Sequence, residues 1–462
     1  MDIKRQKFIV LGVSKSGEAI TEFLLKEGGQ VFVYDDNDGE KVEKIIGRLC
    51  AQGAVGIPKG ELMEVAQNAD VLVLSPGVPI DHPLAVAFKR AKKAVVGETE
   101  IAARVFKGLS LAVTGTNGKT TTVSMVEKIL RVGGMNAVAC GNIGSPMINV
   151  MQESSDTVAV AEISSFQLET LNSFCPHIAV ILNVTEDHLN RHYNMENYIF
   201  LKRKLLKNLT EAEYAVLNYD DPIVRSFADG VKARVIWFSL REEVNGAYFK
   251  DGELFYAGEK LLDADEMLVT GTHNVYNALA AIACAKILGV ERELMAKALQ
   301  EFKGIKHRIE TVGCVDGVTY VDDSKGTNVD ATLKAVACMK NETVLLLGGK
   351  DKGYDYHILF SGLKSGKVVR AVLYGENRYS LLSAARAVGF EKVSVCPNFD
   401  EAVLLARMVA KSGQTVLLSP ASASFDEFSG YEERGDRFCG FVREIERNID
   451  VEDEVFESRE SE

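Results

Sequence analysis

The chain has 462 residues, of which 47% are hydrophobic, and a length of this order suggests about three domains. Its net charge of −12 argues against a surface that binds nucleic acid or an anionic membrane, so we expect no nucleic-acid partner. The eight cysteines contain no C-x-x-C pair and no apolar run approaches the roughly 20 residues that span a bilayer, which predicts a reduced, cytoplasmic protein without membrane insertion.

A strand–helix–strand pattern opens the chain and predicts a parallel sheet. An apolar run is followed by a glycine-containing turn, an amphipathic helix and a second apolar run that closes on Asp35 and Asp36. Two later apolar runs complete the series. The predicted segments are a strand at 7–11, a turn at 12–17, a helix at 18–28 and strands at 30–36, 70–79 and 94–100.

Two more strand–helix series follow, so the sequence predicts an α/β fold with mainly parallel sheets. The second series has a strand ending in the loop 114–118, a helix from Lys119, two continuous apolar strands and a helix at 274–289. Continuous apolar runs are typical of strands buried on both faces. A third series of strands and helices starts near Lys303. The predicted domains are 1–98, 99–303 and 304–462, and the acidic end of the last is predicted to be a disordered tail.

The segment GTNGKT, residues 115–120, has the chemistry of a phosphate-binding loop. It departs from the pattern G-x-x-x-x-G-K-[ST], because Val113 stands where the first glycine would be. Glycines let backbone N–H groups approach phosphate oxygens, and the helix that begins at Lys119 offers its positive end. Lys119 can neutralise phosphate charge, and the Thr120 hydroxyl can hold Mg²⁺. The alternative is a glycine-rich turn with a solvated lysine, but the preceding strand and following helix favour a nucleotide.

A second glycine-containing turn competes with this loop as a nucleotide site. Gly12 and Gly17, with Asp35 about 20 residues further on, resemble a dinucleotide-binding fingerprint. Ser14 replaces the middle glycine, which lets the backbone approach a pyrophosphate. This argues against a nicotinamide oxidoreductase and leaves open either a general nucleotide-diphosphate pocket or a simple strand–helix turn.

Two apolar strands end in polar side chains that suit a metal. Glu162 follows TVAVA, and His188 follows VILNVTED. A carboxylate and an imidazole beside phosphate oxygens suit Mg²⁺ or Mn²⁺. Either residue alone is more often a hydrogen-bonded strand end. Together beside a phosphate loop they are better interpreted as metal ligands.

The phosphate loop is one of a series of motifs along the chain. In order come GTNGKTT (115–121), GNIG (141–144), EISSFQLE (162–169), NVTEDHLNRH (183–192), HNVYNALAA (273–281), KHR (306–308), DDSKGTN (322–328), LLGGKDKGYD (346–355) and SPASASFDEFSGYEERGDRF (419–438). Together they resemble the Mur ligase family of ATP-dependent amide-forming ligases over nearly the whole chain. SPGVP (75–79), SSFQLE and the SFDEF…ERG segment resemble most the family member that adds D-glutamate.

The resemblance implies a Rossmann-like UDP-binding domain, a central P-loop-like ATPase domain and a mobile, Rossmann-like C-terminal domain. It implies a monomeric ligase that adds D-glutamate to UDP-N-acetylmuramoyl-L-alanine through an acyl phosphate, using ATP and two Mg²⁺ ions, in cytoplasmic peptidoglycan precursor synthesis. A sister ligase for another amino acid, a folylpolyglutamate-type ligase and a nucleotide-gated switch protein are the alternatives.

The resemblance also implies residues for ATP and metal. Thr120 and Glu162 would share one Mg²⁺ with the ATP phosphates, and Glu162 and His188 would bridge a second, with Asp187 as an orienting residue. Asn274 and Asn277 share a helix face and would contact ATP, although N-capping by Asn274 fits the sequence equally well. The implied ATP-binding residues are Gly115, Thr116, Asn117, Gly118, Lys119, Thr120, Thr121, Asn274, Asn277, Arg308, Asp323 and Lys325, with His307 beside them.

The other two substrates have implied residues as well. The UDP-linked substrate would contact Lys15, Ser16, Asp35, Asp36, Ser75, Gly77 and Asn142. D-Glutamate would contact Thr327, Lys352, Ser424 and Tyr431. Ser424 could instead cap the helix that follows it.

Lys202 is the last implied residue of the site. It lies four residues after Tyr198, where the resemblance implies a lysine carbamylated by CO₂ that acts as an anionic metal ligand. On the sequence alone, a solvated lysine beside Lys204, or a phosphate neutraliser, is the favoured interpretation. Carbamylation requires a neutral amine, which a partly dry site favours.

Overall fold

The computed structural model describes residues 2–151, 154–269, 271–351, 353–364 and 366–460, with side chains described up to residue 446. The chain divides into two compact units, Met1–Phe302 and Lys303–Glu462. Within the described residues, no helix is both long and apolar enough to cross a membrane.

The N-terminal domain is built on a five-stranded parallel sheet. Its strands are β1 (Lys7–Leu11), β2 (Gln30–Tyr34), β3 (Val55–Gly56), β4 (Val71–Leu74) and β5 (Ala94–Gly97). Its helices are α1 (Lys15–Lys26), α2 (Glu40–Ala51), α3 (Leu62–Asn68), α4 (Pro83–Arg90) and α5 (Glu98–Val105), preceded by a 3₁₀ turn at Ile3–Arg5. The strand order is β3–β2–β1–β4–β5. Phe8 and Val10 of β1 enter one apolar core, while Ile9 and Leu11 enter another, which explains its continuous apolar run.

The central domain has a nine-stranded sheet. Its strands are β6 (Leu109–Thr114), β7 (Ala137–Gly141), β8 (Val158–Glu162), β9 (Ile178–Ile181), β10 (Tyr214–Asn218), β11 (Arg234–Ser239), β12 (Gly246–Lys250), β13 (Glu253–Tyr256) and β14 (Glu259–Asp263). Its helices are α6 (Lys119–Val132), α7 (Met147–Val150), α8 (Ser165–Thr170), α9 (Leu189–His192), α10 (Met195–Lys204), α11 (Pro222–Ser226), α12 (Thr272–Ile287) and α13 (Arg292–Gln300), with a 3₁₀ turn at Ala264–Glu266. The strand order is β14–β13–β12–β11–β10–β9–β6–β8–β7.

The arrangement of these strands positions the candidate site. Strand β6 lies between β8 and β9 and is parallel to both, so the loops after all three strands emerge at one edge. The antiparallel strands β12 to β14 extend the far side of the sheet and were not anticipated from the sequence. They do not interrupt the parallel part of the sheet that carries the motifs.

The C-terminal unit has a six-stranded sheet with one antiparallel edge pair. Its strands are β15 (Glu310–Val315), β16 (Val318–Asp322), β17 (Thr343–Gly348), β18 (Val368–Tyr374), β19 (Val393–Val395) and β20 (Thr415–Leu418). Its helices are α14 (Val329–Cys338), α15 (Tyr356–Leu363), α16 (Arg378–Ala387), α17 (Phe399–Val409) and α18 (Tyr431–Glu460). The strand order is β15–β16–β20–β17–β18–β19, antiparallel only between β15 and β16 among these strands. The predicted α/β fold with mainly parallel sheets is thus confirmed.

The acidic end of the chain differs from its prediction. Helix α18 continues as helical backbone to Glu460, whereas the sequence predicted a disordered tail. After Gly440 the sequence contains neither glycine nor proline, so nothing in the local chemistry ends the helix.

Helix α5 connects the N-terminal domain to the central domain through a buried carboxyl group. Glu98 accepts a hydrogen bond from the backbone N–H of Ile148 at 2.6 Å and another from the Thr99 hydroxyl at 3.1 Å. Thr99 in turn accepts a hydrogen bond from the Gln167 amide at 3.1 Å. Burial raises the pKa of Glu98 from 4.5 to about 7. The connection between the domains therefore contains a carboxyl group whose ionised form is destabilised by burial.

This burial predicts a pH-dependent stability. The folded chain holds the Glu98 proton more tightly than the unfolded chain, so the free energy of unfolding should fall as the pH rises from 4.5 to about 7. Between pH 5 and pH 8, we expect the free energy of unfolding of Glu98→Gln, measured by urea unfolding, to rise relative to that of the wild type by on the order of 2 kcal/mol. Glu64→Gln, at an exposed position, is the control. Identical pH profiles for the wild type and Glu98→Gln would contradict the prediction.

Candidate active site

The predicted phosphate loop joins the end of β6 to the start of α6. Gly118 is the N-cap of α6 and has a φ of 88°, a left-handed conformation that favours glycine. A Cβ atom at Gly118 would lie 2.4 Å from Oδ1 of Asn277, so this position also requires glycine for space. The Lys119 ammonium donates hydrogen bonds to the carbonyls of Gly115 at 2.9 Å and Thr116 at 2.8 Å. Lys119 is therefore held over its own loop, not extended into solvent as in the alternative interpretation.

Asn183 supports this loop and was not singled out from the sequence. Its Oδ1 accepts the backbone N–H of Asn117 at 2.8 Å, and its Nδ2 donates to the Asn117 carbonyl at 3.0 Å. The backbone N–H of Thr116 donates to the Asn183 carbonyl at 2.9 Å. The sequence feature that could have indicated Asn183 as a site residue is its position just after the apolar residues of β9.

The two asparagines of α12 lie against α6. Asn277 Oδ1 accepts a hydrogen bond from the Thr122 hydroxyl at 3.2 Å, and its Nδ2 donates to Asn274 Oδ1 at 3.4 Å. Helix α12 begins at Thr272 with Gly271 as its N-cap. The alternative role of Asn274 as an N-cap is therefore wrong, because the helix begins two residues before it.

The residues predicted to bind metal lie at the edge where the phosphate loop emerges. Glu162 ends β8 and pairs in register with Val113 of β6, immediately before the loop. Its side chain is buried, and Oε1 accepts a hydrogen bond from the Asn142 amide at 2.8 Å. Thr120 and Thr121 are buried in the first turn of α6. A buried carboxylate and threonine hydroxyls are the hard oxygen donors that Mg²⁺ prefers, so these residues fit the ion.

His188 lies on the other side of the loop, after β9. Its backbone is left-handed with a φ of 54°, and its side chain is about one third exposed. Its ring packs against Phe166 with the ring centroids 5.0 Å apart, and its backbone N–H donates to Asp187 Oδ1 at 2.9 Å. Asp187 is close enough to orient the imidazole, since its Oδ2 is 3.6 Å from Nε2.

Among the described residues, one group of three side chains has its potential metal-ligating atoms close together, and it lies in the C-terminal unit, whereas Glu162 and His188 belong to the first unit. The donor atoms of His307, Asp322 and Cys439 lie within 4.8 Å of one another in the C-terminal unit. His307 Nδ1 is 2.6 Å from Asp322, while burial raises the pKa of Cys439 to about 12. These contacts describe a hydrogen-bonded network that holds the segment before β15. A protonated thiol is a poor ligand for Mg²⁺.

Lys202 is buried beside the phosphate loop, which contradicts the solvated-lysine interpretation. Its ammonium group donates to the Gly115 carbonyl at 2.8 Å and to the Thr114 hydroxyl at 3.2 Å, and it lies 5.0 Å from the centre of the Tyr198 ring. Burial holds the pKa of Lys202 well below its ordinary value, and the charge of Lys119 lowers it further. Lys204 is not solvated either, since it donates to carbonyls at the end of α8 and burial lowers its pKa to about 8.

The first glycine-containing turn is held by two of the residues predicted to bind UDP. Asp35 Oδ2 accepts the backbone N–H of Val13 at 2.8 Å. The buried Ser75 hydroxyl donates to the Gly12 carbonyl at 2.6 Å. A Cβ atom at Gly17 would lie 1.9 Å from the same carbonyl, so the helix can approach the turn only with glycine there. Asp35 and Ser75 therefore shape the turn.

The other residues predicted to bind UDP lie around this turn. Helix α1 begins at Lys15, so Lys15 and Ser16 form its first turn and not part of a loop as predicted. Lys15 Nζ donates to the Gly144 carbonyl at 2.9 Å, which brings it to the GNIG segment that carries Asn142. Asp36 lies apart, with its half-exposed carboxylate 3.2 Å from His82 Nε2. Gly77 is exposed in the loop after β4.

The predicted ATP residues of the C-terminal unit cluster at the ends of β16 and β20. Asp323 is buried, and its carboxylate accepts a hydrogen bond from Ser419 at 2.7 Å. Burial raises the pKa of Asp323 to about 7, and the positive charge of the half-buried Arg308 opposes that rise. Lys325 lies over the ring of Tyr431, 5.2 Å from its centre. The structure thus brings Lys325, predicted for ATP, next to Tyr431, predicted for D-glutamate.

The residues predicted to bind D-glutamate are partly described. Lys352 lies outside the described residues. Thr327 is half-buried just before α14, and Ser424 is buried. Helix α18 begins only at Tyr431, so the alternative role of Ser424 as a helix cap is wrong.

Arg434 organises this part of the C-terminal unit, although the sequence interpretation did not single it out. It is fully buried and donates to the Ser324 carbonyl at 2.8 Å and to the Ser422 carbonyl at 3.2 Å. It also donates to the Ser324 hydroxyl at 3.0 Å. The guanidinium thus ties the segment after β16 to the segment that carries Ser424. The sequence feature that could have indicated Arg434 is its place in the GYEERGDRF motif.

Three family models match successive parts of the chain. The Mur ligase MurD-like N-terminal domain matches residues 6–97, the Mur ligase middle domain matches 113–285, and the Mur ligase glutamate ligase domain matches 307–422. The first listed relatives extend the match to nearly the full length. The UDP-N-acetylmuramoylalanine–D-glutamate ligase of Pelotomaculum thermopropionicum is 42% identical over 96% of this chain and 99% of its own. The enzyme of the same name from Clostridioides difficile is 39% identical over 96% of this chain and all of its own.

Solved structures with the same fold are more distant in sequence. The UDP-N-acetylmuramate–alanine ligase of Thermotoga maritima superposes with a TM-score of 0.61 at 18% identity, over 95% of this chain and all of its own. The MurF ligase of the same organism, solved with ADP, superposes with a TM-score of 0.59 at 15% identity, over 97% of this chain and all of its own. At this identity the likeness concerns the fold.

Proposed function

This chain belongs to the Mur ligase family, and from that membership we propose that it is the ATP-dependent ligase that joins D-glutamate to UDP-N-acetylmuramoyl-L-alanine in peptidoglycan precursor synthesis. The observation that carries the proposal is the 42% identity, over 96% of the chain, to a ligase named for this reaction. The phosphate loop between β6 and α6 is consistent with it, because an amide-forming ligase needs a nucleotide to activate its carboxylate.

The reaction follows from the chemistry of a carboxylate and an amine. A carboxylate does not form an amide with an amine in neutral water until it carries a better leaving group. The alanine carboxylate attacks the γ-phosphorus of ATP, which breaks the bond to the β-phosphate and gives an acyl phosphate and ADP. The amine of D-glutamate then attacks the acyl carbon, and inorganic phosphate leaves as the amide forms.

The phosphate loop would hold the ATP phosphates. Backbone N–H groups from Gly118 to Thr121 and the positive end of α6 suit phosphate oxygens, whereas the N–H groups of Thr116 and Asn117 donate to Asn183 and shape the loop. Lys119 supplies a cation that can meet the charge that develops on the γ-phosphate. Asn277 of α12 accepts a hydrogen bond from Thr122 in the first turns of α6, and its amide donates to Asn274. We assign the remaining ATP contacts to Arg308, Asp323 and Lys325.

Two divalent ions complete the proposed site. We assign one Mg²⁺ to Thr120 and Glu162, and a second to Glu162 and His188, with Mn²⁺ as a substitute. When bound, the ions would lower the energy of the negative charge that spreads over the transferring phosphate. The protein's own part is to keep Glu162 buried at the end of β8 and His188 oriented by Asp187.

Lys202 is proposed to join the second metal site as a carbamate. The neutral amine that CO₂ requires is favoured here, because burial and the charge of Lys119 both disfavour the ammonium form. Addition of CO₂ to the amine and loss of a proton convert the side chain into an anionic oxygen pair. The contacts of the Lys202 amine with the Gly115 carbonyl and the Thr114 hydroxyl support this proposal, because both groups lie where the phosphate loop begins.

The remaining assignments follow the family motifs. We assign the uridine diphosphate to Lys15, Ser16, Asp35, Asp36, Ser75, Gly77 and Asn142, and D-glutamate to Thr327, Lys352, Ser424 and Tyr431. We expect the chain to act as a monomer, which sedimentation of the purified protein would test.

The proposed substrate choice gives a direct test. With ATP, Mg²⁺ and UDP-N-acetylmuramoyl-L-alanine, D-glutamate should be ligated at least about a hundredfold faster than L-glutamate, L-lysine or meso-diaminopimelate, because a site built for a substrate's polar groups rejects acceptors that leave them unpaired. Mass spectrometry of the product and release of ADP measure this. A faster reaction with another amino acid or a folate would reject the substrate assignment. ATP hydrolysis without any amide would favour a nucleotide switch.

A further inference from the structure

Arg191 connects the loop after β4 with helix α8 within the first unit. It donates to the Val78 carbonyl at 2.7 Å and to the Gly77 carbonyl at 3.2 Å, in the loop after β4. It also forms a two-point ion pair with Glu169, through Nε at 3.0 Å and Nη2 at 2.6 Å. Four of the five N–H groups of this guanidinium are thus used within the protein. Its side chain is 14% exposed, and that of Glu169 is 6% exposed.

The same arginine belongs to the segment that carries His188. Helix α9 spans Leu189–His192, with His188 as its N-cap residue, so Arg191 is rigidly linked to the proposed metal ligand. Phe166 of α8 lies between them, with the Arg191 guanidinium 4.9 Å from its ring centre and the His188 ring centroid at 5.0 Å. The loop after β4 is therefore connected to His188 through the Arg191 guanidinium and the Phe166 ring, so a displacement of the loop would displace the His188 ring.

Helix α8 also contacts His192, the residue that follows Arg191. Glu169 lies 3.4 Å from His192 Nδ1, and Ser165 lies 2.9 Å from His192 Nε2. Burial lowers the pKa of His192 to about 4, so the imidazole is neutral and Arg191 is the cation that balances Glu169. The SSFQLE motif thus has a physical role that its sequence alone does not reveal.

We propose that Arg191 is a positioning residue for the UDP-linked substrate: it holds the backbone carbonyls of Gly77 and Val78, in the loop after β4, against the His188 segment, so that uridine-diphosphate binding and alignment with the proposed metal site depend on it. The inference rests on the proposed function, in which Ser75 and Gly77 contact the uridine diphosphate. In this inference Arg191 forms hydrogen bonds within the protein, and it influences substrate binding through the loop after β4.

The test is UDP binding by the purified full-length protein, measured by isothermal titration calorimetry. Arg191→Met keeps the length of the side chain but removes the hydrogen bonds, so we expect the Kd for UDP to rise about tenfold while the Kd for ADP changes less than about twofold. Arg191→Lys should be intermediate, because an ammonium cannot reproduce the bridge between a carboxylate and two carbonyls. Arg203→Met is the matched control, since Arg203 is exposed and donates to the Asp229 carbonyl at 2.7 Å, away from the loop after β4.

A second variant separates positioning from simple stabilisation. Arg191→Met leaves Glu169 buried without its cation and should lower the melting temperature. Adding Glu169→Gln removes that charge and should restore much of the melting temperature, while UDP binding stays weak. Recovery of UDP binding together with stability, or an unchanged Kd in Arg191→Met, would overturn the inference. A wild-type chain that does not bind UDP would overturn the proposed function itself, and the inference with it.

Discussion

Lys119→Ala should lower the ligation rate by about 10³-fold, which corresponds to about 4 kcal/mol of transition-state stabilisation. The ammonium is held at 2.9 Å and 2.8 Å from the carbonyls of its own loop, at the start of the helix that would face the ATP phosphates. Alanine removes the positive charge at that position without disturbing a tightly packed core, because Lys119 is only half-buried. Release of ADP and formation of the amide are the two quantities to measure.

The control for this change lies on the same helix. The side chain of Lys128 of α6 is 38% exposed, and its ammonium pairs with Glu301, which is 47% exposed, at 3.0 Å. Lys128→Ala should ligate at close to the wild-type rate, since an exposed ion pair contributes little and lies far along the helix from the loop. If Lys119→Ala folds normally by circular dichroism and keeps most of the ligation rate, the proposed phosphate loop is wrong.

Lys202→Ala should lower the ligation rate by about a hundredfold or more, and formate or acetate should restore part of it. The side chain is fully buried beside Gly115 and Thr114, and burial keeps its pKa low, as carbamylation requires. Alanine leaves a cavity in which a small carboxylate can replace the two oxygens of the carbamate. Activity measured with and without added carboxylate, and a ¹³C signal from labelled bicarbonate in the wild type, test this.

The matched variant is Lys202→Met, which removes the amine but fills the cavity. It should be as inactive as Lys202→Ala and should not respond to formate. The exposed Lys207 is a suitable lysine control, whereas Lys204 is not, because its ammonium holds the carbonyls of Leu168 and Glu169 at 2.9 Å. Normal activity of Lys202→Ala without added carboxylate would refute the carbamate.

The sequence alone was sufficient for the features that depend on local chemistry. A strand, two glycines and a lysine at a helix start predict a glycine-containing turn that leads into a helix, because the backbone angle at Gly118 and the direction of α6 are set by neighbours in the chain. The apolar runs of β6, β8 and β9 were recognised as buried strands for a similar reason. The family motifs added residue assignments that no periodicity contains.

The tertiary structure decided everything that depends on which segments become neighbours. Lys202 looks solvated in the sequence, yet it is buried against Gly115, 87 residues earlier in the chain. Arg191 reaches Gly77 across 114 residues, and Asn277 fills the space that Gly118 leaves open. Lys202 meets Gly115 because β6 lies beside β9, an order that apolar periodicity does not encode, since each buried strand could pair with any other. Burial and pKa follow from that order, so they could be obtained only from the folded chain.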